Sequence, residues 1–180
     1  PSSIGKNIKM DLALVSDVTE LLQALIKRFK EKNKNFLQSN KPNLNQWWST
    51  INKWREKKSL NFKNSKETIK PQFAVQRLYE LTKNKETIIT TEVGQHQMWA
   101  AQHYKFNKPN RWMTSGGLGT MGYGLPAAVG VQIAHPGKLV IDIAGEASVL
   151  MTMQEMSTAV QYKLPIKIFI LNNEYMGMVR

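Results

Sequence analysis

The chain has 180 residues, of which 42% are apolar, and its net charge is +12 at pH 7. This length suits one domain or parts of two, and the composition is that of a folded chain. The absence of cysteine excludes a disulfide scaffold, a thiolate zinc site and a cysteine nucleophile. Because no apolar run approaches the roughly 18 residues of a membrane span, we expect no membrane partner.

Most of the positive charge lies in residues 1–70, which hold 15 Lys and Arg residues against 6 Asp and Glu residues. Such an excess suits either a nucleic-acid-binding surface or a solvated connecting region. We favour the connecting region, since no clustered arginine stripe and no nucleic-acid-binding signature is present. We therefore expect no nucleic-acid partner.

The first elements indicate the end of a domain. Residues 12–15 have the composition of a short strand, and residues 17–29 carry apolar side chains at helical spacing. Ser16 or Asp17 is suited to cap this helix. Residues 30–70 are rich in Lys and Asn, and they contain one further helix candidate with three tryptophans, Trp47, Trp48 and Trp54. These rings suit either base stacking or packing against a neighbouring domain, and we favour packing.

From Pro71 onward the pattern becomes that of an α/β domain. Helices are predicted from Pro71, which suits a first helical turn, and over residues 151–162. Strands are predicted over 87–91, 138–144 and 166–171. Alternating helices and strands with short links predict a parallel sheet with helices on both faces.

Three polar segments follow these strands and are expected to meet. Ligands bind at the carboxyl ends of parallel strands, so residues 92–96, 145–148 and 172–175 should lie at one edge. Glu146 and Asn173 supply carboxylate and amide oxygens, which suit Mg²⁺ with part of its shell left for phosphate. A helix expected to start near Ser148 would add its positive end. The sequence therefore predicts a diphosphate site bridged by Mg²⁺.

A glycine-rich segment, residues 115–124, precedes a further helix. It lacks the Gly-Lys-Ser/Thr of a phosphate-binding loop and the spacing of the dinucleotide fingerprint. Its glycines suit either a tightly packed turn or a loop that contacts a cofactor. We favour the cofactor-contacting loop, because the other polar segments are expected beside it.

These residues together resemble a known family. The stretch from Gly145–Ser148 (GEAS) to Asn172–Asn173 is similar to the thiamine-diphosphate motif, and three longer strings resemble the acetohydroxyacid synthase catalytic subunit. The strings are Val93–Gln102 (VGQHQMWAAQ), Ser115–Gly119 (SGGLG) and Met176–Val179 (MGMV). The resemblance covers essentially the whole chain and identifies it as an internal fragment of that subunit.

The resemblance implies three regions. Residues 1–32 correspond to the carboxy-terminal end of the middle, FAD-binding domain, a second α/β domain. Residues 33–70 form an interdomain connection with one helix. Residues 71–180 form the first, truncated part of the thiamine-diphosphate-binding domain, so the fold there is incomplete.

The resemblance also implies residue roles. Glu146, Asn173 and the Tyr175 carbonyl hold Mg²⁺. Asp17 and Val18 touch FAD. The other implied contacts are to thiamine diphosphate, through Gln95, His96, Gly119, Met121, Gly145, Ala147, Ser148 and Met178. Val179 is expected near the substrate. No catalytic residue is expected in this fragment, because the family's cofactor-activating glutamate lies in a domain that is absent here.

Glu146 departs from the family motif, which has aspartate at this position. Glutamate has the same charge and one more methylene, and a near-octahedral Mg²⁺ site tolerates only small changes of reach. We therefore expect a shifted, weaker or differently coordinated metal site.

In the family, pyruvate condenses with a second 2-keto acid, pyruvate or 2-ketobutyrate, and carbon dioxide is released. The products are precursors of valine, leucine and isoleucine, and FAD is not used for net redox. The resemblance further implies a cytoplasmic bacterial enzyme, a homodimer or tetramer with its site between subunits, and a small regulatory subunit. The fragment alone should be inactive. The closest alternatives are a glyoxylate carboligase or a pyruvate oxidase, and a basic nucleic-acid-binding module is more remote.

Overall fold

The computed structural model describes residues 2–32 and 44–179. The chain divides into two compact units, Pro1–Ser59 and Leu60–Arg180. The three regions predicted at 1–32, 33–70 and 71–180 stay a prediction, and residues 33–43 lie outside the described part. Within the described residues, no helix combines the length and apolar character that crossing a membrane requires.

The first unit contains helix α1 (Val18–Lys32) and helix α2 (Asn45–Glu56). Asp17 caps α1, because its Oδ1 accepts hydrogen bonds from the backbone N–H groups of Thr19 at 2.8 Å and Glu20 at 3.4 Å. The strand predicted over residues 12–15 is wrong. That segment has no ladder partner among the described residues, and a strand needs one to satisfy its backbone.

Helix α2 contains the three tryptophans and confirms the helix predicted around them. Trp47 and Trp54 meet edge to face, with ring centroids 5.7 Å apart, and each ring stays about half exposed. The packing of these rings against a neighbouring domain therefore stays a prediction.

The second unit is built around one four-stranded sheet. Its strands are β1 (Thr87–Thr91), β2 (Trp112–Thr114), β3 (Leu139–Ala144) and β4 (Lys167–Ile170). Their order is β2-β1-β3-β4, and every pair is parallel. The three predicted strands are confirmed, whereas β2 was not predicted because it is short.

The helices of this unit are α3 (Pro71–Thr82), α4 (Gln95–His103), α5 (Gly124–Ala134), α6 (Glu146–Leu150) and α7 (Glu155–Gln161). The single helix predicted over residues 151–162 is wrong at its start, because residues 151–154 form a turn between α6 and α7. In that turn the Thr152 hydroxyl donates a hydrogen bond to the Gly122 carbonyl at 3.2 Å. The turn therefore contacts the glycine-rich segment, residues 115–124, and helps to hold it in place.

Helices cover both faces of the sheet, as predicted. On one face, Ile89 and Ile143 pack with Val75 of α3 and Ala100 of α4. On the other face, Ala144 packs with Leu125 of α5 and with Val149. Neighbouring strand residues point to opposite faces, so β3 contributes to both layers and lies at the centre of the unit.

The parallel register brings three strand ends to one level. Thr91 of β1 lies opposite Ile143 of β3, and Ala144 lies opposite Ile170 of β4. The segments that follow these strands therefore begin side by side at one edge of the sheet.

Truncating the central strand should destabilise this unit strongly. Ile143 is fully buried, so Ile143→Ala should lower the free energy of unfolding by about 2–5 kcal/mol through lost burial and the cavity left behind. Ile133→Ala is the matched control, since Ile133 is 57% exposed on α5 and should cost less than about 0.5 kcal/mol. Urea denaturation measures both, and equal effects would contradict the position of β3.

Candidate cofactor site

A cavity of about 220 Å³ lies at the carboxyl ends of β1, β3 and β4. The three predicted polar segments and the glycine-rich loop all contribute to its wall. The predicted site residues that line it are Gln95, His96, Gly119, Met121, Gly145, Glu146, Ala147, Ser148, Asn173, Tyr175 and Met178. The predicted residues Asp17 and Val18 belong to the first unit, where Asp17 caps α1 and Val18 begins it.

Two glycines fix the position of the His96 ring. A Cβ at Gly94 would lie 2.5 Å from His96 Cε1, and a Cβ at Gly145 would lie 2.7 Å from His96 Nδ1. Both distances are shorter than real Cβ contacts. The ring can therefore occupy this place between the first and second segments only because both neighbours are glycines.

His96 is a neutral imidazole with a free ring nitrogen. Burial lowers the pKa of His96 to about 4, although a hydrogen bond with the Glu92 backbone and the nearby Glu146 carboxylate oppose this shift. The side chain is more than nine-tenths buried, and its Nε2 has no hydrogen-bond partner among the described residues. A buried polar atom of this kind in a cavity wall is suited to bind a ligand.

The third segment is held in place by its own asparagines. Asn173 Oδ1 accepts a hydrogen bond from the Tyr175 N–H at 3.1 Å, and Asn172 Oδ1 accepts one from the Glu174 N–H at 3.0 Å. Asn173 Nδ2 also donates to Gln95 Oε1 at 3.2 Å. This last bond joins the first and third segments directly.

The second segment starts α6 at the cavity. Gly145 is the N-cap, and the Ser148 hydroxyl interacts with both its backbone N–H and its carbonyl, at 3.3 and 3.1 Å. Glu146 is therefore the first residue of the helix, two residues earlier than the start expected near Ser148. Glu146 lines the same cavity as Asn173 and Tyr175.

The kinds of oxygen donor among the residues that line the cavity are those that suit a Mg²⁺ ion shared with a diphosphate. In the described part of the chain, no group of three or more His, Asp or Glu side chains could hold a metal by itself. Glu146 supplies a carboxylate, Asn173 an amide oxygen and Tyr175 a backbone carbonyl, which are hard ligands. Because Mg²⁺ retains water or phosphate oxygens in such sites, three protein oxygens suit it.

Two buried carboxyl groups lie behind the cavity wall. Sequence reasoning placed Glu92 in the first polar segment without a role of its own, and it did not single out Asp142. Glu92 follows β1 and is fully buried, with hydrogen bonds from the backbone N–H groups of Gly122 at 2.6 Å and Leu125 at 3.0 Å. Asp142 of β3 is also fully buried, and Thr90 donates a hydrogen bond to its Oδ1 at 3.0 Å. The signal was present, because an aspartate inside an otherwise apolar strand requires a partner or a proton.

The two acids have different electrostatic surroundings. Burial raises the pKa of Glu92, and the backbone N–H groups at the start of α5 oppose this rise. Burial, followed by the charge of Glu92, raises the pKa of Asp142 to about 7. Asp142 Oδ2 also has no partner among the described residues. We conclude that Glu92 is the better stabilised anion and that Asp142 retains the proton.

Sequence reasoning also missed apolar residues of the wall, among them Trp99 and Leu171. Trp99 lies on the same face of α4 as Gln95 and His96, at helical spacing, and Leu171 directly follows β4. The helical periodicity of α4 could have identified Trp99 once Gln95 had been assigned to the site.

Comparison with known proteins defines the class first. Residues 92–180 match the family described as thiamine pyrophosphate enzyme, C-terminal TPP binding domain. A solved benzoylformate decarboxylase from Polynucleobacter necessarius has a similar fold, with a TM-score of 0.56 and 25% identity. The match covers 66% of this chain and 23% of that one. The second unit is therefore a thiamine-pyrophosphate-binding fold.

The more specific relatives match throughout the chain. The acetolactate synthase large subunit of Buchnera aphidicola from Schizaphis graminum is 46% identical over 180 residues, which are all of this chain and 30% of the relative. The acetolactate synthase isozyme 3 large subunit of Escherichia coli is 42% identical over 182 residues, and the match covers 100% of this chain and 31% of the relative. Acetolactate synthase 1 of Nicotiana tabacum is 44% identical over 178 residues, and the match covers 99% of this chain and 26% of the relative. The chain is homologous to acetolactate synthase large subunits along its whole length and spans about a third or less of those relatives' length.

Replacing Asp142 should change how stability depends on pH. The unfolded chain releases this proton near the ordinary pKa of 3.8, whereas the folded chain keeps it until about pH 7. The folded state thus binds more protons in this window, and stability falls as pH rises through it. Asp142→Asn removes the effect, so its stability relative to the parent should rise by up to about 4 kcal/mol across the window.

Urea denaturation at several pH values measures this change. Asp11→Asn is the matched control, because it makes the same chemical change at an exposed position of the first unit. Parallel pH profiles for the parent and Asp142→Asn would show that Asp142 is ionised throughout.

Proposed function

We propose that this chain is part of an acetolactate synthase catalytic subunit. The full-length protein would condense pyruvate with a second 2-keto acid, pyruvate or 2-ketobutyrate, and release carbon dioxide in branched-chain amino-acid biosynthesis. The observation that carries the proposal is the convergence of the three strand-end segments and the glycine-rich loop on one cavity. The similarity to acetolactate synthases along the whole chain supports it.

The proposed cofactors are thiamine diphosphate and Mg²⁺. Thiamine diphosphate, when bound, supplies the electron sink that decarboxylation of a 2-keto acid requires. Glu146, Asn173 and the Tyr175 carbonyl would hold Mg²⁺ against the diphosphate. His96 would meet a ligand through its buried, unpartnered Nε2, as a neutral group.

The other residues that line the cavity would have two further roles. Gly145, Ala147 and Ser148 line the cavity at the start of α6, and their backbone N–H groups would meet phosphate oxygens there. Gly119, Met121 and Met178 provide the less polar side, which would exclude water from the reacting carbon.

FAD and partner subunits belong to the proposal on family grounds. We assign Asp17 and Val18 to an FAD contact, although the Asp17 carboxylate also caps α1. The names of the bacterial relatives contain the words large subunit, which supports a small partner subunit. A homodimer or homotetramer and a cytoplasmic location complete the proposal.

The rival carboligase and oxidase functions would use the same cavity. The solved relative is named as a benzoylformate decarboxylase, so the fold itself does not select the reaction. The similarity to acetolactate synthases, at 42–46% identity in the bacterial relatives, favours acetolactate synthesis.

The first test uses a full-length enzyme that contains this chain. With thiamine diphosphate and Mg²⁺ it should convert pyruvate to 2-acetolactate, which acid treatment converts to acetoin for colorimetric detection. Removing either cofactor by dialysis should abolish the product, and adding it back should restore activity. Undiminished activity without both cofactors, or a different product from pyruvate, would overturn the proposal.

A second prediction concerns Glu146. In the full-length enzyme, Glu146→Ala should nearly abolish activity. Glu146 is the charged member of the three proposed Mg²⁺ ligands, so its loss should weaken cofactor binding by about 2–5 kcal/mol. Glu146→Asp keeps the charge and restores the family's shorter reach. Its Mg²⁺ affinity should therefore stay level or improve.

Titration of activity against Mg²⁺ concentration measures both variants. Glu155→Ala is the matched control, because Glu155 is an acid in the next helix that does not line the cavity. The Mg²⁺ requirement of this control should equal that of the parent. A Glu146→Ala enzyme with the parent's Mg²⁺ requirement and rate would remove Glu146 from the metal site.

A further inference from the structure

We propose that Glu92 is a positioning residue that holds the glycine-rich loop, with Gly119 and Met121, against the cofactor cavity. The inference rests on the proposed function for the identity of the cofactor. Glu92 does not line the cavity itself. It would act through the backbone of the loop, which gives it a role distinct from those of the residues that line the cavity.

The Glu92 carboxylate binds two points at the end of the loop. Its Oε2 accepts the Gly122 N–H at 2.6 Å, and its Oε1 accepts the Leu125 N–H at 3.0 Å. Leu125 belongs to the first turn of α5, so one side chain joins the loop to the start of this helix. Because Glu92 directly follows β1, both bonds tie the loop to the sheet.

Gly122 has a second hydrogen bond, which involves its carbonyl group. The Thr152 hydroxyl, in the turn after α6, donates a hydrogen bond to the Gly122 carbonyl at 3.2 Å. Gly122 has a φ of +86°, and a Cβ there would lie 3.0 Å from Thr152 Cγ2. The loop therefore adopts a turn suited to glycine, with Glu92 and Thr152 holding successive backbone groups.

The hydrogen bonds to Gly122 affect the cavity through the peptide bond that joins Met121 to Gly122. Met121 precedes Gly122 directly and lines the cavity, and Gly119 lies two residues earlier in the same wall. Any rotation of the Gly122 peptide would displace Met121. The loop is thus coupled to the end of β1 and to the turn that follows Glu146 and α6.

The chemistry requires a carboxylate at position 92. Two N–H donors face one side chain, and an ionised carboxylate offers an acceptor oxygen to each. An amide offers one acceptor oxygen and places an N–H group where the second acceptor was. Glu92→Gln should therefore free one donor while changing the volume of the side chain very little.

The experiment compares four variants of the full-length enzyme with the parent. Glu92→Gln removes the acceptor of the Gly122 N–H or of the Leu125 N–H, Thr152→Val removes the donor to the Gly122 carbonyl, and the double variant combines both changes. Thr82→Val is the control, because Thr82 is also buried and hydrogen bonded, to Tyr104 and Leu78, but does not line the cavity. The dissociation constant for thiamine diphosphate is measured by calorimetry in excess Mg²⁺.

We expect Glu92→Gln to weaken thiamine diphosphate binding about tenfold, which matches the loss of one hydrogen bond to a charged group. The KM for the cofactor should rise equally, while kcat at saturating cofactor changes less than about threefold, because the cofactor itself can restore the loop. The double variant should be weakened by less than the product of the single effects, since both changes act on one residue, Gly122. Thr82→Val should keep the parent's affinity.

Hydrogen exchange supplies a readout that does not depend on the cofactor. In the cofactor-free enzyme, peptides covering residues 119–125 should exchange faster in Glu92→Gln, whereas peptides from β3 should not. If the parent binds no thiamine diphosphate, the proposed function fails and exchange alone decides the inference. Unchanged exchange in the loop, unchanged cofactor affinity, or an equal loss of affinity in Thr82→Val would each overturn it.

Discussion

The common direction of β1, β3 and β4 is the constraint on which the candidate site depends. Parallel strands present their carboxyl ends to one edge, so each following segment starts at the same level. Gln95 and Asn173 can therefore form a hydrogen bond although 78 residues separate them in sequence. Reversing one strand would move its segment to the opposite edge and divide the site.

A conflict between burial and charge lies directly behind this edge. Two acids, Glu92 and Asp142, occupy the core between the sheet and the start of α5, where an unpaired charge is costly. The fold meets this cost with backbone donors for Glu92 and a proton for Asp142. Gly124 makes the arrangement possible, because a Cβ there would overlap Asp142 Oδ1 and lie 2.6 Å from the Glu92 backbone nitrogen.

The success of the sequence-based predictions varied with the source of the signal. The strand over residues 87–91 was predicted at its observed bounds, because a β-branched run between turn residues depends on local preferences. The convergence of the segments followed from topology and was also predicted. The strand at residues 12–15 and the continuous helix from residue 151 were wrong, since each depends on a partner that local pattern does not contain.

The buried acids show a different limit of sequence reasoning. Asp142 interrupts an apolar strand, yet its contacts with Thr90 and the charge of Glu92 come from residues far away in sequence. The residues lining the cavity were recognisable because a family motif names them. The supporting contacts behind the wall have no short motif, so only the folded arrangement reveals them.

The hydrogen bond between Gln95 and Asn173 also bears on how a bound ligand changes the stability of the folded chain. A cavity closed by distant segments exists only when the whole sheet is assembled, so any ligand that fills it binds the folded chain alone. At a hundredfold excess over its dissociation constant, such a ligand adds about 2.7 kcal/mol to the stability of the fold. The supply of such a ligand would then determine what fraction of the chain is unfolded and open to proteases.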